Sequence, residues 1–241
     1  MKLNCDLGES FGSWQMGLDA KAMPHIDMAN IACGFHAGDA DVMASTLQLA
    51  KQHNVTIGAH PAYPDLQGFG RRSMALSHAE IVHMMHYQIA ALDGMAKTAG
   101  LTLEYVKPHG ALYNDMMSKP NVFTAVLAAI AEYYQPLKLM ILATAEQDHY
   151  RQLAEQAGVT LLFEAFADRR YTDDGKLTPR SQAGAVLSET EMLQQVQQLV
   201  QSGTVTTQSG NRLALQADTL CVHGDNPAAI LQIAKIRELL A

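Results

Sequence analysis

Short apolar runs in this chain repeatedly end in a cluster of glycine and ionisable residues just before a helical pattern begins. The longest such junction is Asn30-Ile-Ala-Cys-Gly-Phe-His-Ala-Gly-Asp39. The same punctuation recurs at Asn4-Cys-Asp6, Gly58-Ala-His60-Pro61, Lys107-Pro-His109-Gly110, Phe166-Ala-Asp168-Arg169 and His223-Gly-Asp225. A strand that stops abruptly ahead of a helix leaves its last side chains beside unpaired helix N-terminal amides, which is how an α/β active site is built.

The segments between these junctions alternate in period. Val42, Met43, Leu47, Leu49 and Ala50 share one helical face, and 55–59 follows as a strand. Ser77-His-Ala-Glu80 has the form of a capping box opening a long helix to about residue 99, with Gly100 as its stop. A strand at 103–106 is followed by helix 121–134, strand 138–143, helix 145–157 and strand 159–165. The chain then spends about twenty residues in a polar loop, longer than most connections in a compact domain. Helix resumes near Glu189, a short hairpin spans 204–207 and 213–215, strand 219–222 comes last and helix 227–240 closes the chain. Seven strands, each followed by a helix, predict an α/β fold with a single domain over 1–241, a seven-stranded parallel (β/α) barrel one unit short of the usual eight. An open doubly wound sheet is the alternative.

Composition excludes several classes. A net charge of -7 repels a phosphate backbone, and no basic stripe with interleaved aromatics offsets it, so nucleic acid is not an expected partner. No apolar run approaches the roughly 18 residues of a membrane span, and the N-terminus turns polar at once. A cytoplasmic protein with no membrane partner is expected. Cys5, Cys33 and Cys221 lie in apolar runs with no Cys-x-x-Cys pair and read as buried free thiols.

Asn4 and Asp6 are two apart, so on a strand they share a side opposite Cys5. His36, His60, His109 and His223 each follow a different strand, and closing the sheet brings them with Asp6 to one mouth. Asp6, His36, His60 and His109 are therefore the candidate acid/base groups. Asn4, Asn30, Lys107, Arg169, Arg180, His223 and Asp225 are the candidate substrate contacts, the cations suiting a carboxylate or phosphate. No tightly bound metal is expected, since no His-Glu-x-x-His spacing occurs and the Lys107 ammonium near His109 repels a cation. Glycine-rich phosphate loops and a Gly-x-Ser-x-Gly elbow are both missing from the sequence.

The segments Leu3-Asn-Cys-Asp-Leu-Gly-Glu9, 29–39, Ile57-Gly-Ala-His-Pro61, Val106-Lys-Pro-His-Gly-Ala-Leu-Tyr-Asn114, Phe166-Ala-Asp-Arg169, Pro179-Arg-Ser-Gln182 and Cys221-Val-His-Gly-Asp225 closely resemble those of the LamB/YcsF family, the A subunits of prokaryotic 5-oxoprolinases. The likeness runs from the first strand to the last. It implies a barrel similar to that of polysaccharide deacetylases, without their metal motif. It also implies ATP-dependent opening of 5-oxoproline to glutamate with B and C subunits, ATP and Mg²⁺ being bound with those partners. Cys5, Met28 and Arg170 stand where the family commonly has smaller residues, and none is a candidate acid/base group. The alternatives are a metal-dependent cyclic-amide or N-acyl hydrolase that needs no ATP, and a non-catalytic ligand-binding subunit.

Overall fold

The computed structural model describes residues 1–224 and 227–240; Asp225 lies outside them. Seven parallel strands close into a barrel: β1 (Lys2–Leu7), β2 (Met28–Ala32), β3 (Thr56–His60), β4 (Leu103–Val106), β5 (Lys138–Leu142), β6 (Thr160–Phe166) and β9 (Thr219–Val222). β1 pairs with both β2 and β9, and β6 also pairs with β9, so no edge is left and the open sheet is ruled out. The hairpin that precedes β9, β7 (Thr204–Thr206) with β8 (Arg212–Ala214), is antiparallel and stands apart from the barrel.

The helices are α1 (Asp19–Ala22), α2 (Ala40–His53), α3 (His78–Ala99), α4 (Gly110–Ser118), α5 (Pro120–Ala131), α6 (Gln147–Gln156), α7 (Glu189–Ser202), α8 (Pro227–Leu231) and α9 (Ile233–Leu240). The Ser77 capping box and the left-handed Gly100 bound α3 as predicted. Sequence periodicity missed α4, whose first residue belongs to the polar junction after β4, and read α8 and α9 as one helix. None of the described helices is long and apolar enough to cross a membrane.

Alternation along the strands divides two kinds of interior. On β1, Leu3, Cys5 and Leu7 join the apolar core under the helices, while Asn4 and Asp6 turn into the barrel. The base of the barrel is plugged by Met28, Tyr105 and Met140. The Tyr105 ring fits because Gly58, on the neighbouring strand, has no side chain; a Cβ there would fall within the ring. The plug separates a cavity of about 360 Å³ at the amino ends of the strands, lined by Lys2, Met28, Thr56 and Lys138, from the opening at their carboxyl ends.

Candidate active site

A directed hydrogen-bond chain rises from that plug. Tyr105 donates to Oδ1 of Asn30 at 2.6 Å, and Asn30 Nδ2 donates to Oδ1 of Asn4 at 2.8 Å and Oδ1 of Asp6 at 2.7 Å. Asn4 in turn donates to Thr219 at 3.0 Å. Asn4 and Asn30 are fully buried and do not line the cavity at the mouth, in contrast to the expectation that they touch substrate. Their amides are used up in aligning Asp6.

Lys107 sits just past β4, where its Nζ donates to Asp6 Oδ1 at 2.8 Å, lies 3.1 Å from Glu164 Oε2 and donates to Cys221 Sγ at 3.1 Å. Burial raises the Asp6 carboxyl, but the Lys107 ammonium, His60 and His223 outweigh it and hold it well below the usual range. Burial likewise disfavours charge on Lys107, yet Asp6, Cys221 and Glu164 hold the ammonium well above the ordinary lysine value. Glu164 is pushed up by burial against the pull of Lys107. All three cysteines are free and buried, and Cys221 faces the site.

Three histidines cluster beside Asp6. His60 Nδ1 lies 2.7 Å from the Lys107 carbonyl, and its Nε2 is 3.6 Å from Asp6 Oδ2 and 2.9 Å from His109 Nδ1. His109 Nε2 meets the Phe69 carbonyl at 2.9 Å, and its ring stacks on His36 with centroids 3.7 Å apart. His36 Nε2 lies 3.1 Å from Oε1 of Glu9. Burial moves His60 down to about 3 against the pull of Asp6, and moves His36 and His109 well below the usual histidine value. The rings are thus held neutral by burial, with lone pairs able to ligate. One ligand atom from each of Glu9, His36, His60 and His109 falls within 4.8 Å of the others, a set able to hold a metal ion.

A cavity of about 480 Å³ opens over this cluster, reached by Asp6, His60, Lys107, His109, Arg169 and His223. Arg71 and Arg180 add positive charge to its wall. The long loop after β6 is pinned: the Phe166 amide donates to the buried Tyr171 hydroxyl at 2.8 Å, and Arg169 Nη2 donates to the Thr178 carbonyl at 2.7 Å. Burial, with Arg180 nearby, lowers Arg169 to about 10. His223 Nδ1 lies 2.9 Å from the buried Asp168, which orients its ring. Of the sequence candidates, only His36, Asn4 and Asn30 among the described residues stand off the cavity.

Glu9, Glu164 and Asp168 belong to the site without being candidates from sequence. Asp168 and Glu164 carry a usable signal, since each sits at or near the end of β6, and Glu164 keeps inward phase with Phe166.

The sequence model of the LamB/YcsF family matches residues 1–241. The A subunit of the Vibrio campbellii 5-oxoprolinase is 56% identical over 241 residues, spanning 100% of this chain and 95% of that protein. A second A-type 5-oxoprolinase subunit, from Pseudomonas putida, is 54% identical over 239 residues, 99% of this chain and 93% of that one. The crystal structure of the lactam utilization protein from Thermus thermophilus superposes with a TM-score of 0.89 at 39% identity, over 100% of this chain and 95% of the other. With the family matched from end to end, the chain belongs to the LamB/YcsF family.

Proposed function

We propose that this chain is the A subunit of an ATP-dependent 5-oxoprolinase, which opens 5-oxo-L-proline to L-glutamate together with B and C subunits. The observation that carries the reading is chemical. A carboxylate and two imidazoles, all kept in their basic forms, lie on the floor of a cavity whose wall holds Arg71, Arg169 and Arg180. A five-membered lactam bearing one carboxylate needs such a set: bases for water, and cations for its anionic group. The names of relatives at 56% identity point the same way.

An unstrained lactam resists hydrolysis, and transfer of a phosphoryl group from ATP to the amide oxygen would activate it. One water then opens the ring and a second is consumed overall as ATP becomes ADP and phosphate. Asp6, whose Oδ2 lies 3.6 Å from His60 Nε2 at the cavity floor, takes the proton from water, and the ring nitrogen leaves protonated. The arginines suit the substrate carboxylate and the phosphate. Lys107 is committed to Asp6 and Glu164, so its role is to keep Asp6 ionised rather than to grip substrate. This sequence holds no glycine-rich phosphate loop, and binding of ATP and Mg²⁺ is assigned to the assembled complex.

The test is glutamate release from 5-oxoproline with ATP and Mg²⁺, by this chain alone and with its B and C partners. Activity in the full mixture only is the expected result. Substrate-dependent ATP hydrolysis by the chain alone would sink the division of labour, and ring opening without ATP would replace the reading with an ATP-independent amide hydrolase.

A further inference from the structure

The protons on His60 and His109 are fixed by their backbone neighbours. Nδ1 of His60 faces the Lys107 carbonyl at 2.7 Å, and Nε2 of His109 faces the Phe69 carbonyl at 2.9 Å. Carbonyls only accept, so both of these nitrogens carry hydrogen. In neutral rings the lone pairs are then on His60 Nε2 and His109 Nδ1, and those two atoms face each other at 2.9 Å. Oε1 of Glu9 lies 3.3 Å from the second and 4.0 Å from the first. His36 Nδ1 is buried without a hydrogen-bond partner, so its proton is on Nε2, directed at the same Glu9 oxygen. Three electron pairs therefore converge with no hydrogen among them.

The spacing of the three atoms is that of a coordination sphere. A triangle with edges of 2.9, 3.3 and 4.0 Å has its corners about 2.0 Å from a common centre, the length of a bond from Zn²⁺ to imidazole nitrogen or carboxylate oxygen. We propose that Glu9, His60 and His109 hold a divalent first-row metal ion of the Zn²⁺ or Co²⁺ type, with its remaining positions open to the cavity.

The surroundings are those of metal-bound histidine, which donates its second ring N–H to a carbonyl or carboxylate. Both ligand rings do so here. The acceptor for His109 is held by uncommon backbone: Phe69 is a non-glycine residue at φ 54, and a Cβ on the adjacent Gly70 would crowd both His109 and His36. Two imidazoles and one carboxylate suit Zn²⁺ or Co²⁺ better than Mg²⁺. Lys107 does not repel a cation in the folded chain as its position in the sequence suggests, because its ammonium lies between the carboxylates of Asp6 and Glu164. A metal with three protein ligands retains a site for water or a substrate carbonyl, and Asp6 Oδ2 is 3.6 Å from the ligating nitrogen of His60.

The test reads the metal itself, so its failure and the failure of the 5-oxoproline reading are separable. Chelator-treated wild-type chain is titrated with Co²⁺ and Zn²⁺ by calorimetry and visible absorption, beside His109→Gln, Glu9→Gln and His223→Gln, each checked for folding by circular dichroism. One equivalent should bind to wild type and to His223→Gln, with affinity lower by about 100-fold or more in the two ligand variants, at least as large as losses seen for outer partners. X-ray absorption of the loaded wild type should report two imidazoles and one carboxylate, which decides the matter if a variant does not fold. No stoichiometric binding to wild type, unchanged binding in both folded ligand variants, or a spectrum without imidazole overturns the proposal in favour of a proton-bridged histidine pair.

Discussion

Lys107 donates across the barrel to Oδ1 of Asp6 at 2.8 Å, and the same nitrogen lies 3.1 Å from Oε2 of Glu164. One cation thus compensates two carboxylates, all three at most 4% exposed. Burying either carboxylate alone would be costly, and the ordering of Asp6 at the cavity depends on the whole set.

Replacing Lys107 by Met strands two like charges in the barrel. Loss of one partner from a buried pair costs about 3–5 kcal/mol, and that is the expected drop in unfolding free energy by urea titration. Adding Glu164→Gln to Lys107→Met should restore part of it, because one of the stranded charges is gone. A single substitution with near-native stability would show that the site does not depend on the ammonium.

Stability should fall on the acid side through Asp6. Its folded carboxyl binds a proton less readily than the unfolded one, so its contribution is present above the unfolded value of about 3.9 and is lost as pH drops through the lower folded value. The contribution of Lys107 has the opposite sense: it is complete below the unfolded value of about 10.4 and is lost only as pH rises through a higher one. Between these limits the pair contributes no slope. Urea midpoints from pH 7 to pH 3 should fall less in Asp6→Asn than in wild type, although Asp6→Asn starts lower; parallel curves would refute the assignment.

Much of this site was legible before folding because strand phase and strand ends carry the information. Asp6, His60, Lys107 and His109 lie where a period of two and a terminating glycine or proline put them, and closure of the sheet does the rest. Glu9 was not legible as a partner of His36. It follows Gly8, whose φ of 70 turns the chain after β1, and the direction of a side chain beyond such a turn is set by tertiary packing. Asn4 and Asn30 show the converse limit: phase correctly turned them inward, but depth along the barrel axis, which decides between touching substrate and supporting Asp6, has no sequence signature.

Gly58 is where the plug and the site are joined. Gly58→Ala would push a Cβ into the Tyr105 ring, and overpacking of this kind costs about 1–3 kcal/mol. Because Tyr105 donates to Asn30 and Asn30 to Asp6, the same substitution should also lower turnover by the assembled complex. Tyr105→Leu in the Gly58→Ala background should recover stability without recovering turnover. Recovery of both would mean that the hydrogen-bond chain does not position Asp6.

Of the three arginines carried by the loop after β6, Arg169 and Arg180 should behave differently. Arg169 is 7% exposed and donates to the Thr178 and Ala185 carbonyls, so Arg169→Ala loosens the loop and should lower the melting temperature together with activity. Arg180 is partly buried at the cavity wall and suits an anionic group of substrate or phosphate. A charge-assisted hydrogen bond is worth about 1.5–3 kcal/mol, so Arg180→Ala should raise KM for 5-oxoproline or ATP by roughly 10- to 100-fold in the full complex, with a smaller fall in melting temperature than Arg169→Ala. Which KM moves identifies the anion that Arg180 holds. A fall in kcat at constant KM for both would instead assign Arg180 to charge that develops only as the ring opens.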